Sequence, residues 1–267
     1  MCIRDRYEDL CLLNFGPGEP SFLLALDKKT GKERWRVAEP NADSGAAKPG
    51  KDKPVWVGSW STPVIVRAGQ REELLLSWPT RLVAFQPQTG RELWTCAGLN
   101  PLVYTSPLYD PGTQTIVAMG GFSGMALAVK AGGNGDVTST RLWHHPKTKQ
   151  RIGSGVLHDG HIYIHNDPGV AECFDLASGK VIWEERLRGP GAKSDNWSSM
   201  VLASERLYVI NQSGDSFVLK ASPKFEVLAT NSVGETTMAS LAPSDGEFFI
   251  RTYKNLWCVS GKSASKP

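Results

Sequence analysis

The stretch ALDKKTGKERW, Ala25 to Trp35, is written again with small changes as AFQPQTGRELW, Ala84 to Trp94, and as CFDLASGKVIW, Cys173 to Trp183. Recurrence of this kind constrains a fold more than local propensity does, because each copy is one structural unit that buries its apolar face on the next. A second recurring mark is a Ser/Thr-rich strand start: WSTPVIV (60–66), YTSPLYD (104–110), IGSGVLHD (152–159), WSSMVLAS (197–204) and MASLAPSD (238–245). With Pro63, Pro107, Gly155, Met200 and Leu241 taken as equivalent, the spacings are 44, 48, 45 and 41 residues. That is the period of a propeller blade or a solenoid repeat.

Each unit repeats one order of events. The Ser/Thr start opens an alternating strand, followed by a second strand such as HIYIH, RLYVI or EFFIR. A third strand (RLVAF, VAECFD, DSFVLK, NLWCVS) leads through a Thr-Gly or Ser-Gly turn to a fourth carrying Trp94, Trp143 or Trp183. Four short strands per repeat, punctuated by Gly, Asp and Asn with no 3.6-residue period, predict an all-β propeller of four-stranded antiparallel blades. Within the recurring motif, Ala25 and Ala84 let sheets approach, while Asp27, Thr30 and Thr89 hold the turn. Gly31, Gly90 and Gly179 supply a positive φ, and Trp35, Trp94 and Trp183 each offer a large flat face with an N–H that needs a partner.

The pattern AxDxxTGxxxW resembles the tryptophan-docking motif of the PQQ-binding-like, quinoprotein-type β-propeller repeat family, which includes BamB-like proteins. The first copy matches at Ala25, Asp27, Thr30, Gly31 and Trp35; the second has Gln86 for the acid; the third keeps Asp175, Gly179 and Trp183 with Cys173 and Ser178 substituted. The turn before Trp143 is lengthened. Blade accounting gives a non-native or disordered start (1–9), a partial blade (10–37), full blades at 38–96, 97–144, 145–184 and 185–230, a partial terminal blade (231–260) and a tail (261–267). Four full and two partial blades are expected to form an open arc from which an N-terminal portion is missing.

Long connections between one blade's Trp strand and the next blade's start, including 38–57, 97–103, 144–153, 188–196 and 231–237, are expected on one face, where binding residues collect. Trp60, Tyr104, Ile152, Trp197 and Met238 precede the inner strands and are expected around the channel mouth, with Arg151, Lys193, Asp195, Asn196 and Glu235 above them. These residues fit two readings: an aromatic-lined funnel that binds a ligand, or aromatics that cap the core beneath solvated charges. His158 and His161 flank Asp159-Gly160, which reads as a type I′ hairpin, and a solvated cross-strand pair outweighs a metal site there. Cys11, Cys173 and Cys258 stand in apolar strand contexts and read as buried small hydrophobes; Cys2 and Cys96 complete an odd set without CxxC spacing.

A net charge of +3, spread without a basic block, argues against a nucleic-acid partner, and the longest apolar run, at Leu74-Leu75-Leu76, is strand-sized, so no transmembrane segment is expected. The start MCIRDRYED has charges where an export signal has an apolar core. The resemblance implies a periplasmic or extracellular, monomeric, non-enzymatic scaffold that binds a protein partner or small polar ligand at the loop face, with no catalytic residue and no metal or cofactor. Its alternative is a quinoprotein dehydrogenase of alcohols or sugars using PQQ and calcium. Members of that kind carry a vicinal Cys-Cys pair, which this sequence lacks.

Overall fold

The computed structural model describes residues 3–17, 20–39, 57–121 and 124–261. Among these residues the regular structure is β throughout, apart from one 3-10 turn at Thr138–Thr140. No described helix is long and apolar enough to cross a membrane. Most of the expected connection at 38–57, Cys2 and the tail beyond residue 261 lie outside the described residues.

The strands group into successive antiparallel blades. The first is β1 (Ile3–Tyr7), β2 (Leu10–Phe15), β3 (Phe22–Asp27) and β4 (Glu33–Ala38). After a short β5 (Gly58–Ser59), the second holds β6 (Val64–Ala68), β7 (Arg71–Trp78), β8 (Arg81–Phe85) and β9 (Glu92–Ala97). After β10 (Leu102–Val103), the third holds β11 (Leu108–Asp110), β12 (Thr115–Met119), β13 (Ala126–Lys130) and β15 (Trp143–His145). Its β14 (Gly135–Asp136) instead pairs parallel to β9 as a fifth strand on the second blade. The fourth contains β16 (Val156–His158), β17 (His161–Asn166), β18 (Val170–Asp175) and β19 (Val181–Arg186). The fifth contains β20 (Val201–Ala203), β21 (Arg206–Ile210), β22 (Asp215–Lys220) and β23 (Val227–Ser232). The sixth has three described strands, β24 (Ala242–Ser244), β25 (Glu247–Arg251) and β26 (Leu256–Ser260). Two compact units result, residues 1–150 with the first three blades and 151–267 with the last three.

The first blade corrects the expected strand count. Residues 3–7 were expected to lie outside the fold, yet they pair in register with β2, Ile3 opposite Asn14 through Tyr7 opposite Leu10. Tyr7 is buried and its hydroxyl bridges to the second blade, donating to Glu72 and accepting from Gln88 Nε2 at 2.7 Å. A short alternating strand anchored by one buried aromatic is enough to complete the sheet, so five blades are four-stranded.

Interblade packing explains why apolar residues run continuously through the middle strands. In β7, Leu74 and Leu76 enter the core shared with Leu12, Leu23 and Ala25 of the first blade, while Leu75 enters the core shared with Ile116 and Leu127 of the third. All three leucines are fully buried. A strand between two sheets buries both faces, and each such leucine stabilises the fold by about 2 kcal/mol.

The recurring motif forms the joint between neighbours. Ala25 stands opposite Trp35, Ala84 opposite Trp94 and Cys173 opposite Trp183, and a β-bulge follows at each of these positions. In the first turn the Asp27 carboxylate accepts from Thr30 N at 2.8 Å and Thr30 Oγ1 at 2.9 Å, and Gly31 N donates to Asp27 O at 2.8 Å. Those Thr30 bonds hold the Asp27 carboxyl below its usual range. Asp175 is held down likewise, by the Ser178 hydroxyl and then the Ser178 amide. Gln86 keeps the geometry without the charge, since Thr89 Oγ1 donates to its side-chain oxygen at 3.1 Å. The turn glycines Gly31, Gly90 and Gly179 have φ of 68°, 71° and 69°.

The indoles of Trp35 and Trp183 then reach into the next blade. Trp35 donates from Nε1 to Pro87 O at 3.1 Å, and its ring lies where a Cβ on Gly90 would fall, 2.6 Å from Cε3. Trp183 donates to Ser222 O at 3.2 Å and meets Phe225 edge-on at 5.1 Å. Trp94 differs because the following turn is long. Its Nε1 donates to the buried Glu73 carboxylate at 3.0 Å; Glu73 also accepts from Gly132 N at 3.3 Å, and Arg71 donates to Gly133 O at 2.7 Å. Trp143 stands opposite Ala128 with its ring edge-on to His145 at 5.2 Å.

At the inner end, serines of three strand starts tie neighbouring blades through their backbones. Ser106 Oγ accepts from Thr62 N at 3.0 Å, Ser199 Oγ from Ser154 N at 3.0 Å and Ser240 Oγ from Ser199 N at 2.9 Å. Three of the Ser/Thr marks that recur in the sequence, Ser106, Ser199 and Ser240, are therefore interblade acceptors.

Two glycine substitutions separate backbone strain from crowding at the joint. Gly31→Ala, with nothing within 4 Å of the added methyl, is expected to lose about 1 kcal/mol from its positive φ alone. Gly90→Ala is expected to lose clearly more in urea unfolding, and the excess should vanish in a Trp35→Ala background; equal losses at the two glycines would contradict the joint.

Candidate functional site

In the unit 1–150, two lead-in segments fix the expected aromatics. The strands β5 and β10 pair in parallel, Gly58 opposite Leu102 and Ser59 opposite Val103, so the next residues, Trp60 and Tyr104, fall side by side. Trp60 N donates to Val103 O at 2.8 Å, and the two rings stack with centroids 4.5 Å apart and planes 13° from parallel. Gly121 makes room beneath, since a Cβ there would lie 2.3 Å from the Tyr104 ring. Burial pushes the Tyr104 hydroxyl above its usual range.

Each of these side chains stands next to buried neighbours in the chain. Ser59 and Ser61 flank half-buried Trp60, and Asn14 Nδ2 donates to both of their carbonyls, at 3.3 and 3.0 Å. Buried Val103 and Thr105 flank Tyr104. In the unit 151–267, Asn196 and Ser198 flank Trp197 and are bonded to each other at 2.8 Å, while Trp197 itself is 44% exposed. Buried Thr237 precedes Met238, which is exposed and accepts from the Tyr253 hydroxyl through its sulfur at 3.2 Å.

The polar residues expected above these aromatics have different fates. Arg151 is fully buried, not at a rim: its guanidinium pairs with buried Glu172 at 3.4 Å and lies 5.6 Å from the Phe174 ring centroid. Asn196 is also fully buried, its amide donating to His165 O at 3.0 Å and Ser198 O at 2.9 Å. Glu235 accepts from Thr252 Oγ1 at 2.6 Å and Asn255 Nδ2 at 2.7 Å, bonds that hold its carboxyl below the usual range. Asp195 is half-buried and its carbonyl accepts from Gln212 N, while the Lys193 side chain is exposed. His158 and His161 stand opposite each other across Asp159 and Gly160, both at positive φ as a type I′ turn requires.

Among cysteines, Cys173 and Cys96 are buried, Cys11 is intermediate and Cys258 is exposed, because no described strand covers β26. Burial raises the Cys96 and Cys173 thiols to about 11, so both are inert at neutral pH.

A polar group that sequence reasoning passed over lies where β17 ends. His165, Asn166 and Glu172 are buried, and Asn166 Nδ2 donates to the Glu172 carboxylate that pairs with Arg151. Burial pushes the Asp167 carboxyl up, helped by the negative charge of Asp195. The Gly169 amide and Asn196 side chain approach the His165 ring, but neither closes a hydrogen bond of ordinary geometry, and burial lowers its imidazole to about 4. The run His165-Asn166-Asp167, at the close of an apolar strand, is the mark that points to this cluster.

Comparison with known proteins follows from this geometry. The family model described as outer membrane protein assembly factor BamB matches residues 21–265. This chain belongs to the BamB family. A search of curated protein sequences returns no match. Among solved structures, BamB from Moraxella catarrhalis is similar at 12% identity with a TM-score of 0.53, covering 94% of this chain and 81% of that one. A quinohemoprotein alcohol dehydrogenase from Comamonas testosteroni is similar at 15% identity and 0.58, covering 86% of this chain and 42% of that one. A europium-containing methanol dehydrogenase is similar at 10% identity and 0.64, covering 96% of this chain and 66% of that one. At these identities the likeness is one of fold, the β-propeller. The chain spans less than half of the Comamonas enzyme and about two thirds of the europium enzyme.

The dehydrogenases raise the question of whether a quinone and a metal fit the candidate residues of this BamB-family chain. A flat, anionic quinone needs open ring faces and free cations. Here Trp60 and Tyr104 already cover one another, Arg151 is paired with Glu172 inside the fold, and the Glu235 carboxylate is held by Thr252 and Asn255. These four candidates are thus engaged with neighbours within their own units.

Stability on the acid side tests the buried imidazole. An unfolded histidine takes up its proton near 6.5, whereas His165 does so only near 4, so the unfolded state gains protons first as pH falls. Stability contributed by neutral His165 is thus fully present above pH 6.5 and lost progressively down to pH 4, by up to about 3 kcal/mol. His165→Gln is expected to flatten the difference between urea-unfolding free energies measured at pH 7 and pH 4.5; an unchanged slope would place the imidazole in water.

Proposed function

We propose that the chain is a non-enzymatic, monomeric binding or assembly scaffold that works outside the cytoplasm, in the periplasm or extracellularly, and engages a protein partner through its loop face. Membership in the BamB family supports this reading, since the family description names an outer membrane protein assembly factor. The residue-level support is a set of large side chains beside buried neighbours: Trp60 and Tyr104 half-buried and stacked, Trp197 and Met238 exposed, while the charges of Arg151 and Glu235 are engaged internally. Rigidly presented aromatics with little free charge are suited to apolar contact with a partner, where a few such anchors carry most of the affinity. The recurring joints fit the tryptophan-docking role, which makes the motif part of the scaffold and leaves recognition to the aromatics.

The dehydrogenase reading has the fold likeness in its support and no arrangement of residues. Adding PQQ with calcium to the full chain is expected to leave the melting temperature and the absorbance spectrum unchanged. A saturable rise in melting temperature with dye reduction by alcohols or sugars would overturn the scaffold. On the binding side, Trp60→Ala and Trp197→Ala are each expected to weaken association with an outer-membrane assembly partner about tenfold or more, measured by calorimetry, with far-UV circular dichroism unchanged.

A further inference from the structure

The second blade carries a cavity at the end away from Trp60. It measures about 310 Å³ and opens beside two hairpin turns, one joining β6 to β7 and one joining β8 to β9. Arg67, Arg71 and Arg91 line it together with Glu72, and Gln86 and Gln88 add amide groups.

Both turns are fixed by neighbouring blades, so the arrangement is set before a ligand arrives. The Tyr109 hydroxyl of the third blade donates to Arg67 O, and Gly69 N donates to Gln114 Oε1 at 3.3 Å. From the first blade, Trp35 donates to Pro87 O at 3.1 Å, and the Tyr7 hydroxyl links Gln88 to the Glu72 carboxylate. Gln86 Oε1 accepts from Thr89 Oγ1 at 3.1 Å, which leaves the Gln86 side-chain N–H groups as donors.

The three cations are not equivalent. Arg71 is tied to buried Glu73 through Nε at 3.0 Å and to Gly133 O through Nη2 at 2.7 Å. Arg67 and Arg91 are exposed, and neither guanidinium has an ion pair or hydrogen bond to another described residue. Two guanidinium forks on one cavity match the three oxygens of a phosphate group, whereas the two oxygens of a carboxylate are satisfied by a single fork. Glu72 stands opposite Arg67 across β6 and β7, and Tyr7 engages only its Oε2. The other oxygen repels a bare anion and accepts from a hydroxyl, so it favours a ligand that carries both groups. The volume, at the lower end of the range for small-molecule sites, is roomier than one phosphate group.

We propose that this cavity binds a small hydroxylated phosphate ester of the sugar-phosphate class. Arg67 and Arg91 hold the phosphate, while Glu72, Gln86 and Gln88 take the hydroxyls. The site shares no residue with Trp60, Tyr104 or Trp197, so it stands or falls separately from the loop face.

Calorimetric titration of the full chain with glucose 6-phosphate and with glycerol 3-phosphate tests this, beside glucose and inorganic phosphate. Saturable binding of at least one ester is expected, with inorganic phosphate at least tenfold weaker and glucose giving no heat. Arg67→Ala and Arg91→Ala should each weaken ester binding at least tenfold at an unchanged melting temperature, because both side chains are exposed. Glu72→Gln, which keeps an acceptor for Tyr7, should narrow the gap between the ester and inorganic phosphate. No saturable binding of either ester, or undiminished binding in both arginine variants, would overturn the proposal. So would inorganic phosphate binding as tightly as the esters, which reduces the cavity to a site for a bare anion.

Discussion

The joint between blades depends on an indole N–H, set between two sheets, that must find an acceptor. A large aromatic placed between two sheets contributes much apolar contact, but its one donor is costly to leave unpaired away from water. Trp35 and Trp183 meet that demand with a backbone carbonyl of the following blade, at Pro87 and Ser222. The acceptor is available only if the following hairpin holds its shape, which requires the bonds of Asp27 to Thr30, or of Asp175 to Ser178, and a glycine at positive φ. The second and fifth blades thereby make the seats for Trp35 and Trp183, and stability passes between these neighbours as in other repeat architectures.

Variation on the joint shows how the constraint is met when one part changes. The lengthened turn after β13 leaves no short hairpin for Trp94, and a buried carboxylate, Glu73, takes the place of the carbonyl. Because an unpaired buried carboxylate is itself costly, Glu73 is neutralised by Arg71 and bonded to Gly132, and the long turn lies along β9 as an added strand. In the fifth blade Ala229 stands at the position that holds the tryptophan elsewhere.

Turn chemistry was legible in the sequence because it is local: Asp27, Thr30 and Gly31 act within one hairpin, and the type I′ turn at Asp159-Gly160 is written in two residues. The repeat period was legible because the serine starts recur, although their role as interblade acceptors depends on pairing that no single segment shows. Arg151 read as a rim charge since arginine is seldom buried; its partner Glu172 lies in another strand, and only the sheet brings them together. The strand β1 was missed because five residues with three charges give little periodic signal, and its anchor, Tyr7, is bonded to residues in the next blade. The place of Trp60, Tyr104 and Trp197 before the inner strands was legible in the sequence, whereas the stack of the first two rests on the parallel pairing of β5 with β10.

The most direct test of the joint is amide-type exchange of the indole N–H groups, followed by 15N-resolved NMR after transfer to deuterated water. Trp35, Trp94 and Trp183 are expected to retain their signals long after that of exposed Trp197 has gone, with Gly90→Ala selectively accelerating Trp35. Indoles of Trp35 and Trp183 that exchange as fast as that of Trp197 would contradict the account.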